Sequence, residues 1–209
     1  MKGFIIREMK AEDIADVVAL QVACFPPPFP QDLLWTVQHL KRHLEVFPAG
    51  QYVAESPTDW QIVASSSSLR ISEQNWNARQ SWDATLGGYE FTNGDPKGNT
   101  LYGADISVHP DWRRIGVGRA MYEARFSVVR RLSLTRYGTA CRIPDFRAWQ
   151  EEYPGKSPKE YVHAVAHREW RDRTLSPLLR YGLKVIGVID EYMDDSESGN
   201  AAALLEWRP

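Results

Sequence analysis

The sequence predicts an α/β fold in which about seven strands are interleaved with helices, and three observations carry that reading. Short runs rich in Ile, Val and Leu, bounded by Gly, Pro, Ser and Asp, recur along the chain, as strands punctuated by turns do. Several segments between them place apolar residues three and four apart, the period of a helix with one buried face. The 209 residues, 43% hydrophobic and 25% charged, suffice for a core that needs no disulfide or metal staple. We read residues 1–209 as one domain, in the order strand, helix, helix, three strands, helix, strand, helix, two strands.

Gly3 to Met9 is a short Ile-rich strand. Lys10-Ala11-Glu12-Asp13 opens a helix with acids in its first turn, and Ile14, Val17 and Val18 form its apolar face. Pro26 to Pro30 stops it, since proline removes donors and biases its predecessors away from helix. Gln31 to Phe47 is a second helix carrying Leu33, Leu34, Val37, Leu40 and Leu44, with His39 and His43 on a solvated face. Strands at Gln51–Glu55 and Gln61–Ile71 flank a Ser56-Pro57-Thr58-Asp59 turn, and Ser65 to Ser68 suggest a bulged strand, since no GxSxG turn frames them as nucleophiles. Ser72 to Asn99 is an aromatic loop insertion with little periodicity, and Trp76, Trp82, Tyr89 and Phe91 either pin it to the core or serve a site.

Leu101 to Val108 is a buried strand, and a helix follows Gly116. Tyr137 to Ile143 is a strand closed by Pro144. Ser157-Pro158-Lys159-Glu160 is a capping box with proline at the first helical position. Thr174 to Tyr181 is helical and ends at Gly182 as a left-handed cap would, and Leu183–Asp190 and Ala201–Trp207 are closing strands.

Composition excludes several function classes. The 25 basic and 27 acidic residues leave a net charge of −2, without the basic excess of a nucleic-acid surface. Cys24 and Cys141 lie outside any CxxC or zinc spacing, and no metal site is expected. His163 and His167 lie four apart with Ala164-Val165-Ala166 between them, lacking the glutamate and third ligand that a metal site requires. No stretch approaches eighteen apolar residues and the N-terminus lacks a signal-like run, so no membrane partner and a cytoplasmic location are expected.

The stretch that carries chemistry is Ile106-Ser107-Val108-His109-Pro110-Asp111-Trp112-Arg113-Arg114-Ile115-Gly116-Val117-Gly118-Arg119. An apolar strand enters a basic glycine loop that runs straight into a helix, so free N–H groups and the positive helix end face whatever lies over the loop. A P-loop requires GxxxxGK[ST] and a dinucleotide fingerprint a third glycine, and neither is present. Arg113-x-x-Gly116-x-Gly118 after a strand ending Val-x-Pro resembles the signature of the GCN5-related N-acetyltransferases, and the element order of nearly all 209 residues is similar to theirs. Only the Ser72–Asn99 stretch is longer than the family pattern allows.

That resemblance implies a mixed, mostly antiparallel sheet of about seven strands, split where acetyl-CoA enters and flanked by helices on both faces. It places Ile106 and Val108 against pantetheine, and Arg113, Arg114, Ile115, Gly116, Val117, Gly118 and Arg119 around the pyrophosphate. The second half is more similar still to a subgroup that also occurs fused to carbon–nitrogen hydrolases. The matching residues are Arg142-Ile143-Pro144, Glu160-Tyr161-Val162, Asp172, Leu175-Ser176, Gly182-Leu183-Lys184-Val185, Asp194-Asp195 with Ser198, and Leu205-Glu206-Trp207. The length leaves no hydrolase domain to expect.

The family often carries acids immediately before the apolar-x-Val stretch, and this chain has Ala104-Asp105 there. Asp105 is the candidate base for an ammonium acceptor, or a carboxylate paired with a nearby arginine, and Tyr102 shares the face of Ala104. The family's usual acid, a tyrosine four residues before the glycine ending the last helix, is Leu178 here. Tyr161, Tyr181, Ser176 or water remain for the thiolate, or catalysis is weak. The reading is therefore an acetyl-CoA-dependent N-acetyltransferase acting directly on a primary amine. Its alternative is a CoA-binding regulatory or interaction module, and a homodimer is the default assembly. Pro26–Pro30, Ser72–Asn99 and Ile143–Ser157 would wall the acceptor pocket, with Phe29, Trp76, Trp82, Phe146 and Trp149 offering aromatic faces.

Overall fold

Seven strands form one sheet in the order β1-β2-β3-β4-β5-β7-β6 in the computed structural model, which describes residues 3–27 and 31–209. The strands are β1 (Ile5–Glu8), β2 (Tyr52–Glu55), β3 (Ile62–Ile71), β4 (Thr100–Val108), β5 (Arg136–Arg142), β6 (Lys184–Ile189) and β7 (Ala202–Trp207). Every pairing is antiparallel except β4 with β5. The mixed, mostly antiparallel, seven-stranded architecture is thus as the sequence predicts.

Alternation along the strands feeds two cores, one on each face of the sheet. Ala203 and Leu205 of β7 face one way, and Ala202 and Leu204 the other. The first core packs α5 (Val117–Arg131), α6 (Phe146–Glu152), α7 (Pro158–Ala166) and α8 (Leu175–Arg180). The second packs α1 (Ile14–Cys24), α2 (Val37–Val46), α3 (Glu73–Ala78) and α4 (Trp82–Leu86). The capping box at Ser157 is formed: its hydroxyl accepts from Glu160 N–H at 3.3 Å and Glu160 accepts from Ser157 N–H at 3.0 Å. Gly182, at φ +97°, takes the left-handed conformation expected after α8.

Three elements differ from the sequence reading. The second helix begins at Val37, because the Thr36 hydroxyl caps it by accepting from His39 N–H, while Gln31–Leu33 is a separate single turn. The 72–99 stretch holds two short helices, each capped by a serine: Ser72 accepts from Asn75 N–H and Ser81 from Ala84 N–H. Helix α6 also falls where no helix was expected.

His43 is a further correction, being wholly buried instead of solvated. Its ring stacks on Phe91 with centroids 3.7 Å apart, stands edge-on to Trp35 at 4.7 Å, and its Nε2–H donates to the Tyr89 carbonyl at 2.8 Å. Trp35 also contacts Trp82, Tyr89 and Phe91, so α2 and the 72–99 segment are joined by an aromatic box. Burial pushes the His43 imidazole down to about 4. Its folded value lies below its unfolded one, so between those values the unfolded chain binds a proton that the folded chain refuses, and stability falls as pH falls. We expect the fold to lose about 2 kcal/mol from this group between roughly pH 7.5 and about pH 5. His43→Phe should remove that part of the pH dependence, which urea midpoints at the two pH values measure; an unchanged slope would contradict the assignment.

Candidate functional site

Beyond β4 the chain makes one turn, Pro110–Trp112, anchored by buried Trp112, and then residues 113–116 lead into α5. Arg114 and Gly116 adopt left-handed conformations, with φ of +64° and +99°. Among the described residues, the backbone N–H groups of 114–119 have no hydrogen-bond acceptor, and α5 starts without a side-chain cap or an acid in its first turn. A Cβ on Gly116 would meet nothing within 4 Å. Arg113, Arg114, Ile115, Gly116 and Arg119 are exposed, Gly118 is half-buried and Val117 is buried beneath them. Unsatisfied donors, a positive helix end and three arginines around an open glycine suit a pyrophosphate. Arg113 also folds back, its Nε donating to the Val108 carbonyl at 3.0 Å.

The sheet splits beside this loop. Parallel pairing of β4 with β5 covers only Thr100–Tyr102 against Arg136–Gly138. The Thr139 hydroxyl then donates to the Gly103 carbonyl at 2.9 Å, and past that point β5 pairs with β7 alone. The edge of β4 from 104 to 108 therefore faces no strand, which fits an extended amide-bearing chain such as pantetheine. Ile106 and Val108 point to the α5 side and pack against its core. Tyr137 stands across the head of the split: a Cβ on Gly103 would overlap its hydroxyl, so only glycine fits there.

Asp105 lies on the other face, toward α1. Gln21 of α1 donates through Nε2 to Ser107 Oγ at 2.8 Å and to Asp105 Oδ2 at 3.3 Å, and Ser107 sits 3.4 Å from the same oxygen. Burial pushes the Asp105 carboxyl above its ordinary range, against the opposing pull of the Trp35 side chain, the Arg125 charge, Gln21 and Ser107. Asp105 forms no ion pair among the described residues. Both thiols are poor nucleophiles at neutral pH: burial pushes Cys24 up to about 11, and Cys141 also lies well above its usual value.

Of the acid candidates, Tyr161 is committed elsewhere. Its hydroxyl donates to Asp172 at 2.7 Å, and burial beside that carboxylate raises its pKa. The Ser176 hydroxyl accepts from Asp172 N–H at 3.0 Å. Tyr181 lies tilted against Tyr122 with its hydroxyl 3.8 Å from where a Gly118 Cβ would be, whereas Leu178 is buried in the core. The subgroup residues prove to be a brace: Asp172 also receives Thr174 and Leu175 N–H, Arg142 pairs with Asp195 at 2.6 Å, and Ser198 receives Ile143 N–H at 3.0 Å.

Among the described residues, the aromatic wall expected around an acceptor is not formed. Trp76, Phe146 and Trp149 are buried core residues, and Trp82 turns its indole N–H onto the Ala104 carbonyl at 3.2 Å. Tyr102, on the Ala104 face, is buried and hydrogen-bonded to the Tyr192 hydroxyl at 2.9 Å. Phe29 lies outside the described residues. His109 Nδ1 accepts from Asp111 N–H at the strand end, and His163 and His167 stack on an exposed face of α7. No helix among the described residues is long and apolar enough to cross a membrane.

Comparison with known proteins identifies the family and the fold. The model of the acetyltransferase (GNAT) family matches residues 14–150. The uncharacterized N-acetyltransferase YkwB of Bacillus subtilis (strain 168) is 34% identical over 203 residues, 97% of this chain and 88% of that protein. The probable hydrolase YhcX of the same organism is 37% identical over 208 residues, 99% of this chain, and the chain spans 39% of its length. Among solved structures, the GphF GNAT-like decarboxylase in complex with isobutyryl-CoA has a TM-score of 0.79 at 21% identity, covering 98% of both chains. The loading GNATL domain of CurA from Lyngbya majuscula has a TM-score of 0.74 at 19% identity, covering 99% of this chain and 98% of that one. The chain belongs to the GNAT acetyltransferase family.

Proposed function

We propose that the chain transfers an acetyl group from acetyl-CoA directly to a primary amine, with Asp105 as the general base. The observation that carries this reading is the juxtaposition of a carboxylate of raised pKa with the unpaired edge of β4, one strand-length from the open Gly116 loop. Pyrophosphate on residues 113–119 and pantetheine along 106–108 would bring the thioester past Asp105. The acceptor ammonium gives one proton to the Asp105 carboxylate, the free amine bonds to the thioester carbon, the carbon–sulfur bond breaks, and the nitrogen releases its second proton to the group that protonates the thiolate, so that group is restored. The departing thiolate takes a proton from Tyr181 or water. Without an activated cysteine, the reading needs no acyl-enzyme. Two free cysteines suit a reducing compartment, and we place the protein in the cytoplasm.

Leu178 at the family's tyrosine position favours a second reading, in which the chain binds CoA and turns over slowly or not at all. The decarboxylase among the structural neighbours adds other acyl-CoA donors to the comparison. Thermal unfolding with acetyl-CoA, isobutyryl-CoA and CoA, beside free-thiol release across an amine panel, separates these. Stabilisation with thiol release for one amine class supports the transferase. Stabilisation alone supports the binding module, and no stabilisation overturns the loop assignment.

A further inference from the structure

We propose that Arg125 and Trp82 are positioning residues that clamp a bulge in β4 from opposite faces of the sheet, holding the Asp105 side chain toward α1. This rests on the reading of Asp105 as the base. The bulge is one residue long: Ser67 pairs with Asp105 and Ser68 with Gly103, which leaves Ala104 without a partner on β3. Strict alternation would send Asp105 to the face of Gly103, into the core around Tyr137. The extra residue reverses the phase, so Ala104 and Asp105 both look toward the α1 face while Ile106 and Val108 look toward α5.

Such a bulge strands carbonyl groups in the interior, and here side chains satisfy them. From the α1 face, Trp82 Nε1–H donates to the Ala104 carbonyl at 3.2 Å. From the α5 face, Arg125 Nη2 donates to the carbonyls of Asp105 and Ser67, and Nη1 donates to the Tyr137 hydroxyl at 2.9 Å. Arg125 is 2% exposed, and its guanidinium lies 5.2 Å from the Tyr122 ring centre and 5.7 Å from that of Tyr137 and has no ion-pair partner among the described residues. Its Nε has no acceptor among the described residues. A buried cation held by carbonyls, a tyrosine hydroxyl and rings, with the Asp105 carboxyl acting on it only through space, is a costly way to fill a core that Met or Leu would fill as well. The geometry explains the cost, because only a planar fork reaches two strands and a tyrosine at once. The clamp also gives the 72–99 segment a role, since Trp82 is held there by the aromatic box and by its backbone N–H, which donates to the Tyr192 carbonyl at 2.9 Å.

The test uses Trp82→Phe, which keeps a ring and removes the donor, and Arg125→Lys, which keeps the charge and removes the fork. Native-state hydrogen exchange is read at the amides of Gly103 to Ile106 against those of β2 and β7, beside CoA affinity and thiol release from acetyl-CoA. In each variant we expect exchange to rise about tenfold at the bulge alone, with thiol release falling about tenfold at unchanged CoA affinity. Faster exchange spread evenly over the sheet would reduce both residues to ordinary packing and overturn the proposal. Bulge-confined exchange with undiminished thiol release would overturn it too, because the clamp would then serve no reaction. If Asp105→Asn retains turnover, the base reading fails separately, while the exchange arm still decides whether the clamp exists.

Discussion

Asp105→Asn is expected to lower turnover by about 10²- to 10⁴-fold, the usual range for loss of a positioned base, while CoA affinity stays within a factor of about two. The amide keeps the shape and the acceptor oxygen that Gln21 and Ser107 use, so the site should remain assembled. What it loses is the ability to take a proton. In the parent protein, turnover should rise with pH through a limb above the ordinary carboxylate range, because burial raises the Asp105 pKa. Stability should move the opposite way. A carboxyl whose folded value exceeds its unfolded one favours the fold while protonated and disfavours it as pH climbs past the unfolded value. The variant should therefore match the parent near about pH 4 and be more stable than it at neutral pH. Loss of activity with gain of stability at neutral pH is the signature of a group retained for chemistry. Turnover equal to that of the parent would remove Asp105 from the reaction, and a variant less stable at neutral pH would contradict its raised pKa.

Long elements were legible in the sequence because periodicity needs length. The fifteen residues of α5 and the capping box of α7 are clear, whereas α3, α4 and α6, of six, five and seven residues, are too short for a stripe to show. Their signals were local: serine caps at 72 and 81, and Gly87 in left-handed conformation at the end of α4. His43 was misread because two histidines amid Lys41, Arg42 and Glu45 look solvated until Phe91 and Trp35 are seen against the ring. The glycine loop at 113–119 was legible as an open turn into α5 because its glycines, arginines and helix start are contiguous. The bulge was readable in principle, since the apolar phase of the strand shifts from Leu101, an odd position, to Ile106 and Val108, even ones that face the same core. Its clamp was not, because Arg125 and Trp82 lie twenty or more residues from Asp105 on separate elements.

Gly116→Asp is expected to weaken CoA binding by about a hundredfold or more, through backbone strain and through a like charge set against the pyrophosphate. Two controls separate the causes. A Cβ on Gly116 meets nothing within 4 Å, so steric overlap inside the protein contributes nothing, and the φ of +99° alone penalises Ala. Gly116→Ala should therefore cost about fivefold to tenfold, corresponding to roughly 1 kcal/mol of strain. Gly116→Asn has nearly the shape of Asp and tolerates left-handed conformations better than Ala does, so it should bind at least as well as the alanine variant. The gap between Asn and Asp then measures charge at the loop. If the loop cradles an anion, that gap is large and narrows with added salt. Equal affinities for the Asn and Asp variants by calorimetry with CoA would mean that no phosphate approaches residue 116, and the free N–H groups of 114–119 would then need another ligand.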